Sequence, residues 1–222
     1  MVPTSDWSAD DLVRSVLVVN ARADKSSALP KEQRRAGPSP GSTPLLPWQP
    51  RTGSLRRMAL PYRISTLLYC FNAHDEVLLL ERAQEPNLGQ WSPCGGKLDT
   101  ARGESPYACA CREAREEIGW ELKPRDLHLT GIVSEHGYQG QAHWLMFLFE
   151  VRPRLRQLPA PIREGRFAFF ARTAVRRLRL PRTDRERIWP LFWRHRGGFF
   201  AAHCRTQPDG RNTWRLEESS PW

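Results

Sequence analysis

Four glutamates fall close together in "GESPYACACREAREEIGW": Glu104, Glu113, Glu116 and Glu117. The last three are spaced i, i+3, i+4, which on a helix puts them on one face. Three like charges on one turn repel by a few tenths of a kcal/mol per pair even when exposed, so something should offset them. Oxygen-only ligands grouped this way suit a hard divalent cation, Mg²⁺ or Mn²⁺, rather than zinc. Arg112 lies next to the cluster and can orient a carboxylate through a bidentate contact. Taken alone, "REAREE" also reads as a solvated helix face laced with arginine.

The element that must carry these residues is well punctuated. Ser105 is a capping residue and Pro106 suits the first helical position. Gly119 is a suitable stop. Tyr107, Cys111, Ala114 and Ile118 follow at helical spacing and are expected to pack on a sheet. Upstream, "RISTLLYCF" and "EVLLLER" read as two antiparallel strands joined by the turn-like "NAHD". "AQEPNLGQWSPCGG" reads as a loop. "LHLTGIVSEH", "HWLMFLFEV" and "RFAFFA" are further strands, and "TAVRRL" a short helical turn. "TDRERIWPLFWRH" reads as a helix with Thr183 or Asp184 as its cap. Pro190, which lacks an N–H, should bend or break it. "GGFFAAHC" and "NTWRLEE" flank an Asp209-Gly210 hairpin signal. Mixed strands with one central and one late helix predict an α/β (α+β) sandwich.

Composition narrows the class. The chain has 222 residues, of which 40% are hydrophobic, enough for one domain with a core. No apolar run approaches the length of a membrane span, and Asp10 and Asp11 stand where a signal peptide is positive. A cytoplasmic protein with no membrane partner is expected. Five cysteines without a C-x-x-C pair indicate neither a disulfide framework nor a zinc site. The formal charge is +10, and 14 arginines face three acids between Arg152 and Arg196. Such a field attracts polyanions such as nucleotides or nucleic acid, although no nucleic-acid motif is present. Residues 1–57 are rich in Pro, Gly, Ser and Arg without a sustained period, and are expected to be disordered apart from a short helix near Ala9–Val19. Met58 is an alternative start, which mass spectrometry of the native N-terminus would decide. Residues 58–222 form the expected domain.

Glu104, Arg112, Glu113, Glu116, Glu117 and Gly119 together resemble the Nudix box: glycine, five residues, glutamate, seven residues, then Arg-Glu-apolar-x-Glu-Glu-x-Gly-apolar. Ala114 and Trp120 fill the apolar slots. The departure is between Gly96 and Glu104, where "KLDTARG" has seven residues in place of five. Lengthening a surface loop by two residues costs little closure entropy, so Thr100-Ala101 or a neighbouring pair should bulge outward and leave the glycines in reach of the carboxylates.

The resemblance implies a Nudix α/β/α sandwich, with a mixed sheet and a loop–helix–loop catalytic motif, that hydrolyses a nucleoside diphosphate linked to another group. It implies Glu113, Glu116 and Glu117 as metal ligands, with the Gly95 carbonyl among them. Glu104 would support the helix or bind metal through water, and Arg112 would orient a glutamate. The segments before and after the box are similar to MutT-type 8-oxo-dGTP diphosphatases. On that likeness Glu164 is a candidate extra metal ligand or base, or a plain surface acid. Asp184 either reads a purine base or caps a helix. Ser92 stands where some members place a base-contacting asparagine. Trp91 either stacks on a base or anchors its loop. Lys97 is a candidate phosphate contact, outside any P-loop frame. The resemblance implies an Mg²⁺-dependent diphosphatase of a nucleoside triphosphate, an oxidised purine such as 8-oxo-dGTP among the candidates. The alternatives are another nucleoside diphosphate derivative, such as ADP-ribose or a dinucleoside polyphosphate, and a non-catalytic domain that binds nucleotide or RNA. Oligomeric state is not encoded in any motif.

Overall fold

A computed structural model describes residues 60–222 except 86, 139 and 208–210. The expectations for residues 1–57, for Met58 as a start and for the Asp209-Gly210 turn lie outside the described residues. Eight strands form one mixed sheet in the order β3-β2-β1-β5-β4-β7-β8, with β6 also paired to β2. These are β1 (Tyr62–Phe71), β2 (Val77–Arg82), β3 (Trp91–Ser92), β4 (Leu127–Tyr138), β5 (Ala142–Arg154), β6 (Gly165–Phe170), β7 (Phe199–Thr206) and β8 (Asn212–Ser220). β1 runs parallel to β5 and β4 parallel to β7, while the other pairs are antiparallel. The expected pairing of β1 with β2 is antiparallel but limited to Phe71 opposite Val77. β2 instead pairs along its length with β6.

"LLYCF" is apolar at every position because both of its faces are covered. Leu68 and Cys70 point to one core, with Leu78, Leu80, Ala110 and Ala114. Tyr69 and Phe71 point to the other, with Leu79, Val175, Leu180, Ile188, Trp189 and Phe192. The first core is roofed by helix α1 (Pro106–Ile118). The second is roofed by α2 (Arg172–Val175) and a continuous helical run that ends in α3 (Trp189–Arg194). Two helical layers around one sheet make the expected sandwich.

The stripe that α1 presents to the sheet differs from the expected one. Cys109, Ala110 and Ala114 are the buried positions, while Cys111 and Ile118 are only partly covered. Tyr107 is 37% exposed and meets Phe149 edge-on at 4.7 Å. Small side chains let the helix lie close to the strands, and the tyrosine is left on the flank. The late helix also differs. Thr183 already has helical torsions and makes no side-chain cap, so neither it nor Asp184 is an N-cap. From Asp184 to Ile188 the run widens to a π-helical turn, in which the Trp189 N–H bonds to the Asp184 carbonyl. Pro190 comes directly after this widened turn, so its missing N–H is accommodated without ending the helix. Within the expected loop after β2, Trp91 and Ser92 form the short strand β3 opposite Glu81 and Leu80.

Candidate active site

α1 starts and stops as its sequence requires. Ser105 Oγ accepts the Ala108 N–H at 3.1 Å, and Pro106 follows. Gly119 is left-handed (φ 66°), and the next N–H, of Trp120, returns to the Ala114 carbonyl at 3.1 Å. The Gly119 N–H itself bonds to the Arg115 carbonyl at 3.1 Å, the single bond of the αL cap. Both ends are thereby fixed, which sets the rotation of the glutamate face.

Arg112 is the hub of that face. Its Nε and Nη2 donate to the two oxygens of Glu104 at 2.8 and 3.0 Å, a bidentate pair. Its Nη1 donates to Glu113 Oε1 at 2.7 Å and Glu116 Oε2 at 3.0 Å. Nη2 also reaches the Lys97 carbonyl at 3.1 Å, tying the loop to the helix. Glu104 accepts the Asp99 N–H as well, and the guanidinium foremost, then this amide, hold its carboxyl down to about 2. Glu113 is shifted the other way: burial raises it against the pull of Arg112. Glu117 turns away and accepts the Gly95 N–H at 2.8 Å. Burial, then the charges of Glu113 and Glu164, push it up to about 7.

The glycines stay against these carboxylates despite the longer loop. Gly96 donates nothing to them but lies so close that a Cβ there would come within 2.2 Å of Glu113 Oε1. Gly95 has φ +133°, and a Cβ there would meet the Thr66 carbonyl oxygen at 2.2 Å. The Thr66 N–H holds the Gly96 carbonyl at 2.9 Å, and the Leu98 N–H bonds to Ile64. The extra length is taken up by an exposed helical turn, Thr100–Arg102, capped by Asp99 and closed by left-handed Gly103. Gly95→Ala is therefore expected to destabilise the fold by about 1–3 kcal/mol from backbone strain alone. Gly96→Ala should leave stability nearer wild type but displace Glu113 and depress activity. Urea denaturation of both variants alongside an activity assay separates the two effects.

The donor set fits a hard cation. Glu113 Oε2, Glu116 Oε1 and Glu117 Oε1 each lack a hydrogen bond among the described residues, as does the Gly95 carbonyl. These are oxygen donors on one helix face and its facing loop. With Glu113 and Glu116 drawn onto Arg112, no three acidic or imidazole side chains among the described residues converge as a finished cage. Admitting a cation would thus involve a modest swing of these side chains off the guanidinium.

The remaining sequence candidates are spread around this centre. Glu164 is exposed in the turn just before β6, and its charge reaches Glu117, so distant segments bring those acids together. The Lys97 ammonium lies 6.0 Å from the Trp144 ring centroid. Trp91 packs edge-on against Phe170 at 4.7 Å, and its backbone N–H is bonded to the Arg179 carbonyl, as an anchor would be. Ser92 sits in the ladder opposite Leu80.

Asp184 belongs to a second acidic centre with Glu135, a residue that motif reasoning missed. Glu135 is 5% exposed on β4 opposite Trp144, and its polar neighbours are the Thr206 hydroxyl at 3.4 Å and the Cys204 thiol at 4.0 Å. It has no ion pair among the described residues, and burial pushes it up to about 7. Asp184, pushed up to about 7 by burial and then by the charge of Glu135, likewise lacks a cationic partner. The Tyr138 phenol feels both acids. The available signal was the strand alternation, which puts Glu135 on the same inward face as Val133.

Comparison with known proteins agrees with the fold. The family model described as the NUDIX domain matches residues 61–192. Among solved structures, the chain is similar to the mutator MutT protein of Bacillus halodurans at 26% identity, over 71% of this chain and 99% of that one, with a TM-score of 0.56. The MutT protein of Methanosarcina mazei matches at 22% identity, over 61% and 93% of the two chains, with a TM-score of 0.51. The family match spans more than half of the sequence and contains the whole glutamate helix with its glycine loop, so the chain belongs to the Nudix family as a hydrolase of pyrophosphate bonds.

Proposed function

We propose that this hydrolase cleaves a nucleoside triphosphate, an oxidised purine such as 8-oxo-dGTP, to the monophosphate and pyrophosphate, with Mg²⁺ or Mn²⁺ as cofactor. The observation that carries the reading is the pairing of two centres in one domain. One is the glutamate face against Gly95 and Gly96, suited to a metal-bound pyrophosphate. The other is buried Glu135 with the partly buried Asp184, a pair with no counter-ion among the described residues, suited to the N–H groups of a base. An ionised carboxyl accepts hydrogen bonds and a protonated one also donates, so two carboxyls raised by burial can present both to one base edge.

When bound, the cation neutralises phosphate oxygens and polarises the attacking water. Glu113, Glu116 and Glu117 would hold it, with the Gly95 carbonyl as a further oxygen. The Gly95 N–H fixes the Glu117 carboxylate in advance, and Arg112 gathers Glu113 and Glu116 beside it, a short swing from the same face. Glu104 sets the guanidinium in turn and is a supporting residue. Glu164, exposed and close to Glu117, is positioned to take a proton from water or to add a ligand. Lys97, exposed beside Trp144, would meet the phosphates. We also place the enzyme in the cytosol with the nucleotide pools, a reading supported by five free cysteine thiols. No helix among the described residues is long and apolar enough to cross a membrane.

The test is a panel of nucleotides with purified full-length protein and Mg²⁺, following monophosphate and pyrophosphate. Faster turnover of ADP-ribose or a dinucleoside polyphosphate would overturn the triphosphate assignment. Nucleotide binding that persists in EDTA with no phosphate product would overturn the catalytic one.

The base-reading pair also predicts a pH dependence of stability. A carboxyl with a folded pKa of about 7 and an ordinary unfolded value holds more protons folded than unfolded between those two limits. Its contribution to stability is therefore lost as pH rises through that window. Glu135→Gln has no such loss and should gain on the wild type between pH 5 and pH 8, on the order of 2 kcal/mol. Denaturant titrations of both proteins at the two pH values measure the difference, and an unchanged gap would refute the burial of an unpaired acid.

A further inference from the structure

We propose that the arginine-lined groove between α2 and the late helical run is a second binding site, which takes the phosphodiester backbone of single-stranded nucleic acid. The groove, about 310 Å³, is walled by Arg172, Arg176 and Arg185 over a floor that includes Trp189 and Trp193. A neighbouring hollow of about 420 Å³ shares Arg172 and Arg176 and adds Arg177.

The domain's arginines divide into paired and unpaired ones, and those of the groove are unpaired among the described residues. Arg112, Arg166, Arg182 and Arg196 are each bonded to a carboxylate. Arg172, Arg176, Arg177 and Arg185 form no ion pair among the described residues. Asp75, an acid within electrostatic reach of Arg172, is already held by Arg196 at 2.7 and 2.8 Å. Four guanidiniums gathered around two hollows repel one another unless an anion joins them.

Aromatic surface lines the groove as well, with Trp189, itself 3% exposed, among the lining residues. Trp193 is half-buried, stacks on Trp189 at 5.5 Å and carries Arg172 at 5.2 Å from its ring centroid. Cations tracking a backbone beside indole and guanidinium planes are the chemistry by which single strands are held without sequence preference.

The site is separate from the glutamate face. Val175, Leu180 and Trp189 pack on the sheet face that carries Tyr69 and Phe71, whereas α1 packs on the face of Leu68 and Cys70. A strand in the groove would leave the hydrolytic centre free. A single nucleotide would engage one hollow; a chain of phosphates engages both.

The experiment uses the full chain in EDTA, so that metal-bridged binding at the glutamates is silenced. Fluorescence anisotropy follows labelled oligo-uridylate and oligo-thymidylate of about 20 nucleotides, long enough to cross both hollows. With four phosphates engaged, log K should fall against log[salt] with a slope of about −3. Arg172→Ala with Arg176→Ala should weaken binding about tenfold or more and reduce the slope by about 1.4, at unchanged thermal unfolding and unchanged nucleotide hydrolysis. Binding by the double variant equal to wild type overturns the proposal, because the basic remainder of the chain then suffices. Absence of binding by the wild type overturns it too. Displacement of the oligonucleotide by polyglutamate at equal charge would reassign the groove to an acidic protein, and displacement by a mononucleotide at equal phosphate to a nucleotide site.

Discussion

Glu117→Gln should lower kcat by at least about 10²–10³-fold while leaving the protein folded, because what it removes is charge that orients and anchors the cation rather than packing. The Gln oxygen can still accept the Gly95 N–H that Glu117 now accepts at 2.8 Å. The amide is also neutral, so it avoids the burial that pushes the wild-type carboxyl up to about 7. Melting temperature without metal should therefore hold or rise as activity falls. Glu116 offers the contrast. It is 50% exposed on its side chain and bonded to Arg112 at 3.0 Å, so Glu116→Gln should cost activity with little change in stability. Partial recovery of either variant at high Mn²⁺ would show that the loss lies in metal affinity. Near-normal turnover of both variants with saturating Mg²⁺ would overturn the assignment of this face as the metal site.

How far the sequence reached depended on whether the information was local. Ser105, Pro106 and Gly119 bracket α1 because caps act through neighbouring backbone groups, and those groups are adjacent in the chain. The glutamate cluster was legible for the same reason, since helical spacing alone puts Glu113, Glu116 and Glu117 together. The extra residues of "KLDTARG" were legible as a bulge because a surface loop absorbs length cheaply, and Thr100–Arg102 is an exposed turn. What failed was tertiary. The stripe of α1 was drawn through Tyr107, but the sheet selects the small residues Cys109, Ala110 and Ala114 because they permit close approach. Asp184 looked like a cap because it precedes a helical pattern, yet the helix starts earlier and widens there. Glu135 and Asp184 lie on elements far apart in sequence, and only the packing of the late helix on β4's face joins them. The parallel pairing of β1 with β5 was equally hidden, since a parallel partner must come from a distant segment.

Arg112→Ala is expected to be the most destabilising substitution in the site, by about 3 kcal/mol, because it strands three carboxylates at once. Its side chain is 28% exposed, while Glu104 and Glu113, its nearest partners, are 12% and 13% exposed. Lysine should rescue only a fraction, since a single ammonium cannot span both Glu104 oxygens and also reach Glu113 and the Lys97 carbonyl. The pH signature separates this from a general loss of packing. Glu104 is held down to about 2, chiefly by the guanidinium, so its contribution to stability is present above the ordinary carboxylate range and is lost as pH falls toward 2. In Arg112→Ala the anchor is gone and that acid-side slope should flatten. A second signature comes from the cation. With Arg112 absent, Glu113 and Glu116 no longer have to leave a guanidinium to bind Mg²⁺, so added Mg²⁺ should raise the melting temperature of the variant more than that of the wild type. Activity should nonetheless stay low, because ligands released from Arg112 are no longer oriented. Equal Mg²⁺ shifts in the two proteins, with the acid slope intact in the variant, would mean that Arg112 does not organise the glutamate face.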